Sequence, residues 1–262
     1  KTSIQLFNHT LYTLPNISIE TIMKSIFRFN INKTTSNAIL STTHCRMQLS
    51  AAAKNELEGN VASYYGKNAN YSSLFGTNIH FGYFPHIADP SQPVVDFPGS
   101  GAALNQHMAQ ISGINASSKV IDFGCGVGGP IYDVAQATQC TATGIDLTPE
   151  FIDTAQTQFG SQNNKLNYVV GSITDLPSEI KNGPKYTHLF SIQAICHISS
   201  FFNDVCREAC AVLDTNGIAV INDFVVSENG PSDEAKEFFY KRLHFDRLLS
   251  FAEYADGLTA NG

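Results

Sequence analysis

Four side chains able to bind charge or move a proton fall where apolar runs of this sequence end: Asp122, Asp146, His197 and Asp223. Asp122 follows Val120 and Ile121 and is followed by Gly124, Gly126, Gly128 and Gly129, with Pro130 next. Two β-branched residues running into an acid and then a cluster of glycines mark a strand that turns sharply beneath a ligand and enters a helix. Glycine admits positive φ and close backbone approach, and the helix that follows aims its N-terminus at the bound molecule. The spacing Gly124-x-Gly126-x-Gly128, with an acid two residues before the first glycine, differs from the G-x-G-x-x-G of a dinucleotide loop. A Walker loop needs Gly-Lys-Ser/Thr, and no lysine follows. Asp146 ends the run Thr143, Gly144, Ile145, 24 residues after Asp122. A carboxylate at such a strand tip can accept hydrogen bonds from both hydroxyls of a ribose; alternatively it caps the helix opened by Thr148 and Pro149.

His197 closes the run Phe190 to Cys196. An imidazole titrates near neutrality, which suits a general base; the other reading is a structural histidine at a strand–helix junction. Asp223 follows Ile221 and Asn222 and is expected to face the same cavity. It can orient the imidazole as the acid of a catalytic triad does, bind a substrate amine, or cap a loop.

The elements that must position these groups alternate. Strands are expected at 119–123, 141–146, 166–170, 186–191 and 217–225, and helices at 129–138, 149–159, 200–213 and 231–254, with a weak helix around 175–181. Alternation of this kind means βαβ units, a mostly parallel sheet and right-handed crossovers, and ligands bind such sheets outside the carboxyl ends of the strands. Ahead of this core, 51–66 reads as a helix rich in good helix formers. The stretch 68–98 is rich in Gly, Asn, Pro and aromatics and reads as an irregular cap, and 101–111 as a further helix. The expected divisions are an extension over 1–50, a helical and aromatic cap over 51–113, and the α/β core over 114–262.

The chain has 262 residues, 43% of them hydrophobic, and a formal net charge of −7. The length is ample for one medium domain with additions, and the acidity argues against nucleic-acid binding. No apolar run approaches a membrane span. The six cysteines form no C-x-x-C pair; Cys206 and Cys210, one helical turn apart, read as small core residues of a reduced, intracellular protein. No acidic metal-ligand cluster is evident, so no metal is expected. Residues 1–50 hold five Lys/Arg, one acid (Glu20) and fourteen Ser/Thr. That composition is like an organellar transit segment, or else a disordered extension, and leaves the compartment as cytoplasmic or organellar (plastid or mitochondrial).

The motif D-x-G-x-G-x-G at Asp122–Gly128 resembles motif I of class I S-adenosylmethionine (AdoMet) methyltransferases, and the later motifs fit in order. Asp146 and Leu147 resemble that family's ribose-binding acid and adenine-packing residue. Gly171, Ser172, Ile173, Asp175, Leu176 and Pro177 resemble its adenine turn, with Ser172 where many members carry Asp; Asp175 could serve instead. The tip through Ser191, Gln193 and His197 resembles that of sterol C-methyltransferases and of glycine/sarcosine and sugar methyltransferases, although sterol enzymes carry an acid where Gln193 sits. Tyr64, Tyr65, Tyr71 and the run Gly76, Asn78, His80, Tyr83 resemble the cap of the same small-molecule group. The resemblance covers residues 56–262 and implies an α/β, Rossmann-like three-layer sandwich with an N-terminal helical cap. It implies AdoMet as cofactor, S-adenosylhomocysteine as product, and a small-molecule acceptor handled by a monomer or homodimer. The cofactor set it implies is Tyr65, Asp122, Gly124, Cys125, Gly126, Gly128, Asp146, Leu147, Ser172, Ile173 and Ser191. Gln193, His80 and Tyr83 would meet the acceptor, and His197 with Asp223 would do the acid–base work. O- or N-methylation is the first expectation. C-methylation of a sterol or prenyl lipid, or AdoMet binding without methylation, is the alternative. The family's sheet has seven strands, the last two antiparallel. Only five are countable here, so strands six and seven are expected to be missing from the C-terminal end, leaving an edge open to aggregation.

Overall fold

The computed structural model describes residues 4–8, 22–30, 50–67, 75–160, 165–227, 230, 233, 236–240, 243 and 245–261. Its centre is an eight-stranded sheet. Five parallel strands form the body: β3 (Lys119–Phe123), β4 (Thr141–Asp146), β5 (Leu166–Val170), β6 (Tyr186–Ile192) and β7 (Leu213–Val226). They lie in the order β7-β6-β3-β4-β5. The short strand β8 (Leu249–Ser250) pairs parallel with the end of β7. Each body strand begins within a residue or so of its sequence expectation except β7, which starts at Leu213 rather than 217.

The reading fails at the outer edge of β7. The edge expected to be open is covered by β2 (Ile22–Asn30), antiparallel to β7 over nine residue pairs from Ile22↔Val226 to Asn30↔Ile218. Strand β1 (Ile4–Asn8) then pairs antiparallel with β2. An antiparallel pair does lie beyond the fifth body strand, but residues 4–8 and 22–30 supply it. Residues 1–50 are therefore not wholly outside the fold, as their Ser/Thr-rich, basic composition suggested. The physical reason is local: Ile22, Ile26, Phe27 and Phe29 are strand-forming residues, and β7 offers a long row of unpaired backbone groups.

Helices cover both faces. They are α1 (Ala51–Lys67), the short α2 (Pro85–Ala88), α3 (Phe97–Ser112), α4 (Gly129–Thr138), α5 (Pro149–Ala155), the short α6 (Ser178–Lys181), α7 (Phe202–Val212) and α8 (Phe251–Asn261). α5 runs on into a π turn over Gln156–Gly160. The helix expected over 231–254 is not continuous: among the described residues a π turn (Lys236–Tyr240) and β8 fall within it, and α8 starts at Phe251.

Strand alternation builds the three layers. Ile121, Phe123, Leu189, Ala219 and Ile221 face one side and pack with Phe202, Val205, Cys206, Tyr254 and Leu258 of α7 and α8. Val120, Phe190 and Val220, their neighbours along the same strands, face the other side and pack with Leu104, Met108, Ile131, Val134 and Ile152 of α3, α4 and α5. This period of two is what a sheet buried on both faces requires. Cys206 and Cys210 lie in the first of these cores, as small apolar residues, and the five described cysteines are buried.

α3 begins where Asp96 accepts a hydrogen bond from Gly99 N at 2.7 Å and ends on Gly113 in the left-handed region. Both are the expected end chemistries. A polar cluster ties the cap to these helices: Asn78 Nδ2 donates to Asp133 Oδ2 (3.0 Å), and Asn105 Nδ2 donates to Asn78 Oδ1 (3.0 Å) and Asp133 Oδ2 (2.9 Å).

Candidate functional site

At the carboxyl ends of β3, β4, β5 and β6 lies a cleft with about 720 Å³ of empty space, part of it open to solvent. Its floor is the glycine loop. Gly124 has φ +79°, and a Cβ there would sit 2.3 Å from Ala194 Cβ, so only glycine lets the turn pass beneath the tip of β6. Gly126 has φ +55°, and a Cβ there would meet nothing within 4 Å: the space above it is the cleft. A side chain at that position would fill the cradle.

The tip of β4 supplies Asp146. Its Oδ2 accepts from Gly126 N (2.9 Å) and its Oδ1 from Thr148 N (2.9 Å), which locks the carboxylate between the glycine loop and α5. Burial raises its carboxyl above the ordinary range, and those N–H groups oppose the rise. Thr148 stands at the N-cap of α5 without a side-chain cap bond, so Asp146 does hold this helix start. Each carboxylate oxygen keeps acceptor capacity beyond its single bond.

Asp122, 1% exposed, lies behind the loop and not on the cleft lining. Its Oδ2 meets no donor among the described residues. Burial first, and the nearby Asp146 charge second, push its carboxyl well above the ordinary range. Glu58 of α1 adds a third carboxylate, and among the described lining residues there is no lysine or arginine.

The cap closes the cleft from α1. Glu58, Val61 and Tyr65 all line it. Glu58 Oε1 accepts from Ser172 Oγ and Thr174 Oγ1, both at 2.6 Å. Tyr65 Oη lies 2.8 Å from His197 Nε2, with the two rings edge-on at 5.3 Å. His197 sits on a 3-10 turn (Ile195–His197) just past β6, and its ring also meets Phe245 at 5.2 Å. Gln193, at φ +51°, clasps the cap. Its Oε1 accepts from Phe81 N (3.1 Å), while Nε2 donates to Phe81 O (3.2 Å) and Asn222 Oδ1 (3.1 Å). A non-glycine residue held in the left-handed region costs about 1–3 kcal/mol and tends to occur at functional sites.

The structure brings together Tyr65, Gly124, Gly126, Asp146, Leu147, Ser172, Ile173, Gln193 and His197 on the lining. Other expected residues lie elsewhere. Gly128 is the N-cap of α4, and Cys125 is buried under the loop, its thiol raised by burial and so far from a thiolate. Ser191 is fully buried and bonds Phe123 O at 2.9 Å, stitching β6 to β3. Tyr83 stacks on His107 at 4.9 Å, and His80 is buried with Nδ1 3.0 Å from Phe81 O; of this segment it is Ile79 that lines the cleft. Tyr71 lies outside the described residues. Asp175 cannot serve the cleft, because it is turned to solvent in an ion pair with Lys181 at 2.7 Å.

Asp223 does not orient the imidazole. Its Oδ2 accepts from Cys196 N (3.0 Å) and Tyr254 Oη (2.8 Å), and its Oδ1 from Phe224 N (2.8 Å). It anchors the turn that carries His197 instead. Burial pushes its carboxyl up to about 6 despite these donors.

Sequence reasoning passed over Glu58. The signal was the spacing of 58, 61 and 65, which are i, i+3 and i+7 on one helical face, with an acid where an apolar residue would be ordinary.

Residues 120–217 match a family model described as a methyltransferase domain. The methyltransferase GfsG of Streptomyces halstedii is 26% identical over 169 residues, 63% of this chain and 58% of that protein. The sterol 24-C-methyltransferase of Eremothecium gossypii is 27% identical over 201 residues, 75% of this chain and 48% of that protein. The chain thus spans about half the length of these curated relatives. Geranyl diphosphate C-methyltransferase of Streptomyces coelicolor, solved with Mg2+, geranyl diphosphate and S-adenosyl-L-homocysteine, has the same fold, with a TM-score of 0.65 at 16% identity over 78% of each chain. Residues 120–217 are thus similar to a methyltransferase domain, and the parallel sheet that carries the Asp122–Gly128 loop has the fold of a solved methyltransferase.

Proposed function

We propose that this chain transfers a methyl group from AdoMet to an oxygen or nitrogen of a small-molecule acceptor, with His197 receiving the acceptor's proton. The observation that carries this reading is the composition of the cleft: three carboxylates in or behind it, no lining lysine or arginine among the described residues, and a Tyr65–His197 contact at the tip of β6. A dinucleotide brings two negative phosphates and would be repelled by such a wall. AdoMet brings an ammonium and a sulfonium, and so fits the missing positive charge. The cofactor supplies a methyl group on a positively charged sulfur, open to attack by a nucleophile.

The protein's part is binding, orientation and proton removal. Asp146 has spare acceptor capacity for ribose hydroxyls, Leu147 and Ile173 offer apolar faces to a base, and Asp122, behind the loop, can reach the ligand's amino group through a bridging water. Gly126 leaves room for the ligand's body. Gln193 holds the cap to the strand tip and helps exclude water, which favours an oriented displacement. His197 Nε2, within 2.8 Å of a hydroxyl already, has the geometry to accept a proton at that atom.

A second reading, C-methylation of an isoprenoid alkene, is favoured by the aromatic wall beside His197. Phe245 packs on Phe224 at 5.3 Å, and Phe81 on Phe224 at 6.2 Å. Such rings stabilise a cationic intermediate. The names of the sterol and geranyl diphosphate relatives point the same way. Calorimetry tests the common core: S-adenosylhomocysteine binds and NAD does not, and the reverse result sinks both readings. Labelled AdoMet offered with hydroxyl, amine and isoprenoid acceptors separates them, since products with a new O–CH3 or N–CH3 support the first and a new C–C bond supports the second.

A further inference from the structure

Asp146 fixes where a nucleoside's sugar would sit, and the neighbouring strand fixes where its base would end. β4 and β5 are parallel partners with Asp146 in register with Val170, and Gly171 N bonds Asp146 O at 2.9 Å. One interstrand step and two residues along the chain place Ser172 roughly 8 Å from Asp146, which is close to the span from ribose hydroxyls to the far edge of a purine. Between them the lining is apolar: Leu147, Phe151, Ile173 and Val61. The polar group waiting at the far end is Glu58, reached from the cap. Both hydroxyls of the turn, Ser172 Oγ and Thr174 Oγ1, hold its Oε1 at 2.6 Å. Its Oε2 has no hydrogen-bond partner among the described residues, while the side chain lines the cleft.

We infer that Glu58 is the residue that reads the base: its carboxylate accepts a hydrogen bond from the exocyclic amine of the purine, from the cap helix and not from the strand tip. The turn itself holds Ser172, whose hydroxyl is engaged with Glu58, and the one acid in the turn, Asp175, is turned away to Lys181. A carboxylate accepts and cannot donate at neutral pH, so this edge welcomes a 6-amino purine and leaves a 6-oxo purine with two facing acceptors. Repulsion of that kind is how a site rejects a near-isostere.

The inference rests on AdoMet being the ligand, and the test separates the two. Calorimetry on the full chain compares S-adenosylhomocysteine with its 6-oxo counterpart, S-inosylhomocysteine. Wild type is expected to prefer the amine at least tenfold. Glu58→Leu removes the acceptor, and the two affinities should fall within threefold of each other. Glu58→Gln keeps the size and presents either an acceptor or a donor, so it should cut the preference at least fivefold while binding both ligands. A preference unchanged in Glu58→Gln overturns the inference and leaves Glu58 as a latch for α1 only. Wild type that binds neither nucleoside overturns the cofactor reading itself, and that outcome appears before any variant is made.

Discussion

Asp122→Asn should make the ligand-free protein more stable while weakening its hold on the cofactor. The side chain is 1% exposed, its Oδ2 lacks a donor among the described residues, and the Asp146 charge lies nearby. A buried, unsatisfied polar group costs about 1–3 kcal/mol, more when ionised. The pH dependence isolates the term. The folded-state carboxyl is raised above its unfolded value near 3.8, so the folded protein holds a proton that the unfolded chain has released. The stability this group contributes is complete below that unfolded value and is lost as pH rises through the raised folded value. Within that window each such group tilts the unfolding free energy downward by about 1.4 kcal/mol per pH unit. Urea unfolding of wild type and Asp122→Asn from pH 4.5 to 8.5 should therefore show the variant's slope flatter by about that amount, and the variant ahead by ~1–3 kcal/mol at the alkaline end. Titration with S-adenosylhomocysteine should show affinity reduced by roughly 5- to 150-fold, the equivalent of ~1–3 kcal/mol. Parallel slopes with unchanged affinity would refute the reasoning, because Asp122 would then be neither strained by burial nor aimed at a ligand.

The other predictions concern single contacts. Asp146→Ala should weaken S-adenosylhomocysteine binding by about 1–3 kcal/mol if, as proposed, it removes the acceptor for ribose hydroxyls; calorimetry giving wild-type affinity would remove it from the site. His197→Ala should lower turnover about 10²–10⁴-fold with little change in cofactor affinity, and full activity in a labelled-methyl assay would disqualify it as base. For Asp223, raised from 3.8 to about 6 by burial, the same linkage applies: its contribution is complete below pH 4 and lost by pH 7. The stability difference between wild type and Asp223→Asn should therefore shrink by about 3 kcal/mol across that range, and a pH-independent difference would show that the carboxyl titrates normally. Deleting residues 1–30 uncovers nine paired positions of β7 and should destabilise the chain by ~2 kcal/mol or more, with aggregation on size-exclusion chromatography. A deletion as stable and monodisperse as the parent would mean that these residues add nothing to the sheet.

What the sequence made legible followed how local each signal was. β3, α4, β4 and β5 match their expected bounds because each carries its own apolar period, punctuated by glycine or proline: Gly124 to Pro130 between β3 and α4, Thr148 and Pro149 before α5. The strand-tip residues were legible for the same reason. β2 was not. Its nine residues alternate well enough, but their partner is β7, whose Asp223 faces Ser25 from the far end of the chain. Nothing local names a partner so distant, and the surrounding serines, threonines and lysines spoke for an extension. Asp223 illustrates the opposite error. It lies inside β7, three residues short of its end, and it holds the turn before His197 and not the imidazole, because Tyr254, at 0% exposure, brings a hydroxyl to the carboxylate that no spacing rule foresees.

The cap explains how a cleft so short of positive charge can be both dry and accessible. Three polar ties hold it against the strand tips: Glu58 to Ser172 and Thr174, Tyr65 to His197, and the two-way clasp of Gln193 on Phe81. Each hydrogen bond contributes a net ~0.5–1.5 kcal/mol, so together they amount to only a few kcal/mol. That is the range in which local opening occurs without global unfolding. The other end of the cap is held differently, by the Asn78–Asp133–Asn105 cluster on α3 and α4, where Asn78 and Asn105 are buried. Gln193 makes its clasp from a backbone at φ +51°, so strain offsets part of what the clasp contributes. If the proposed function holds, a nucleoside seated against Glu58 and Tyr65 adds to these ties, so the cap closes more firmly with the methyl donor in place and shields His197 from water.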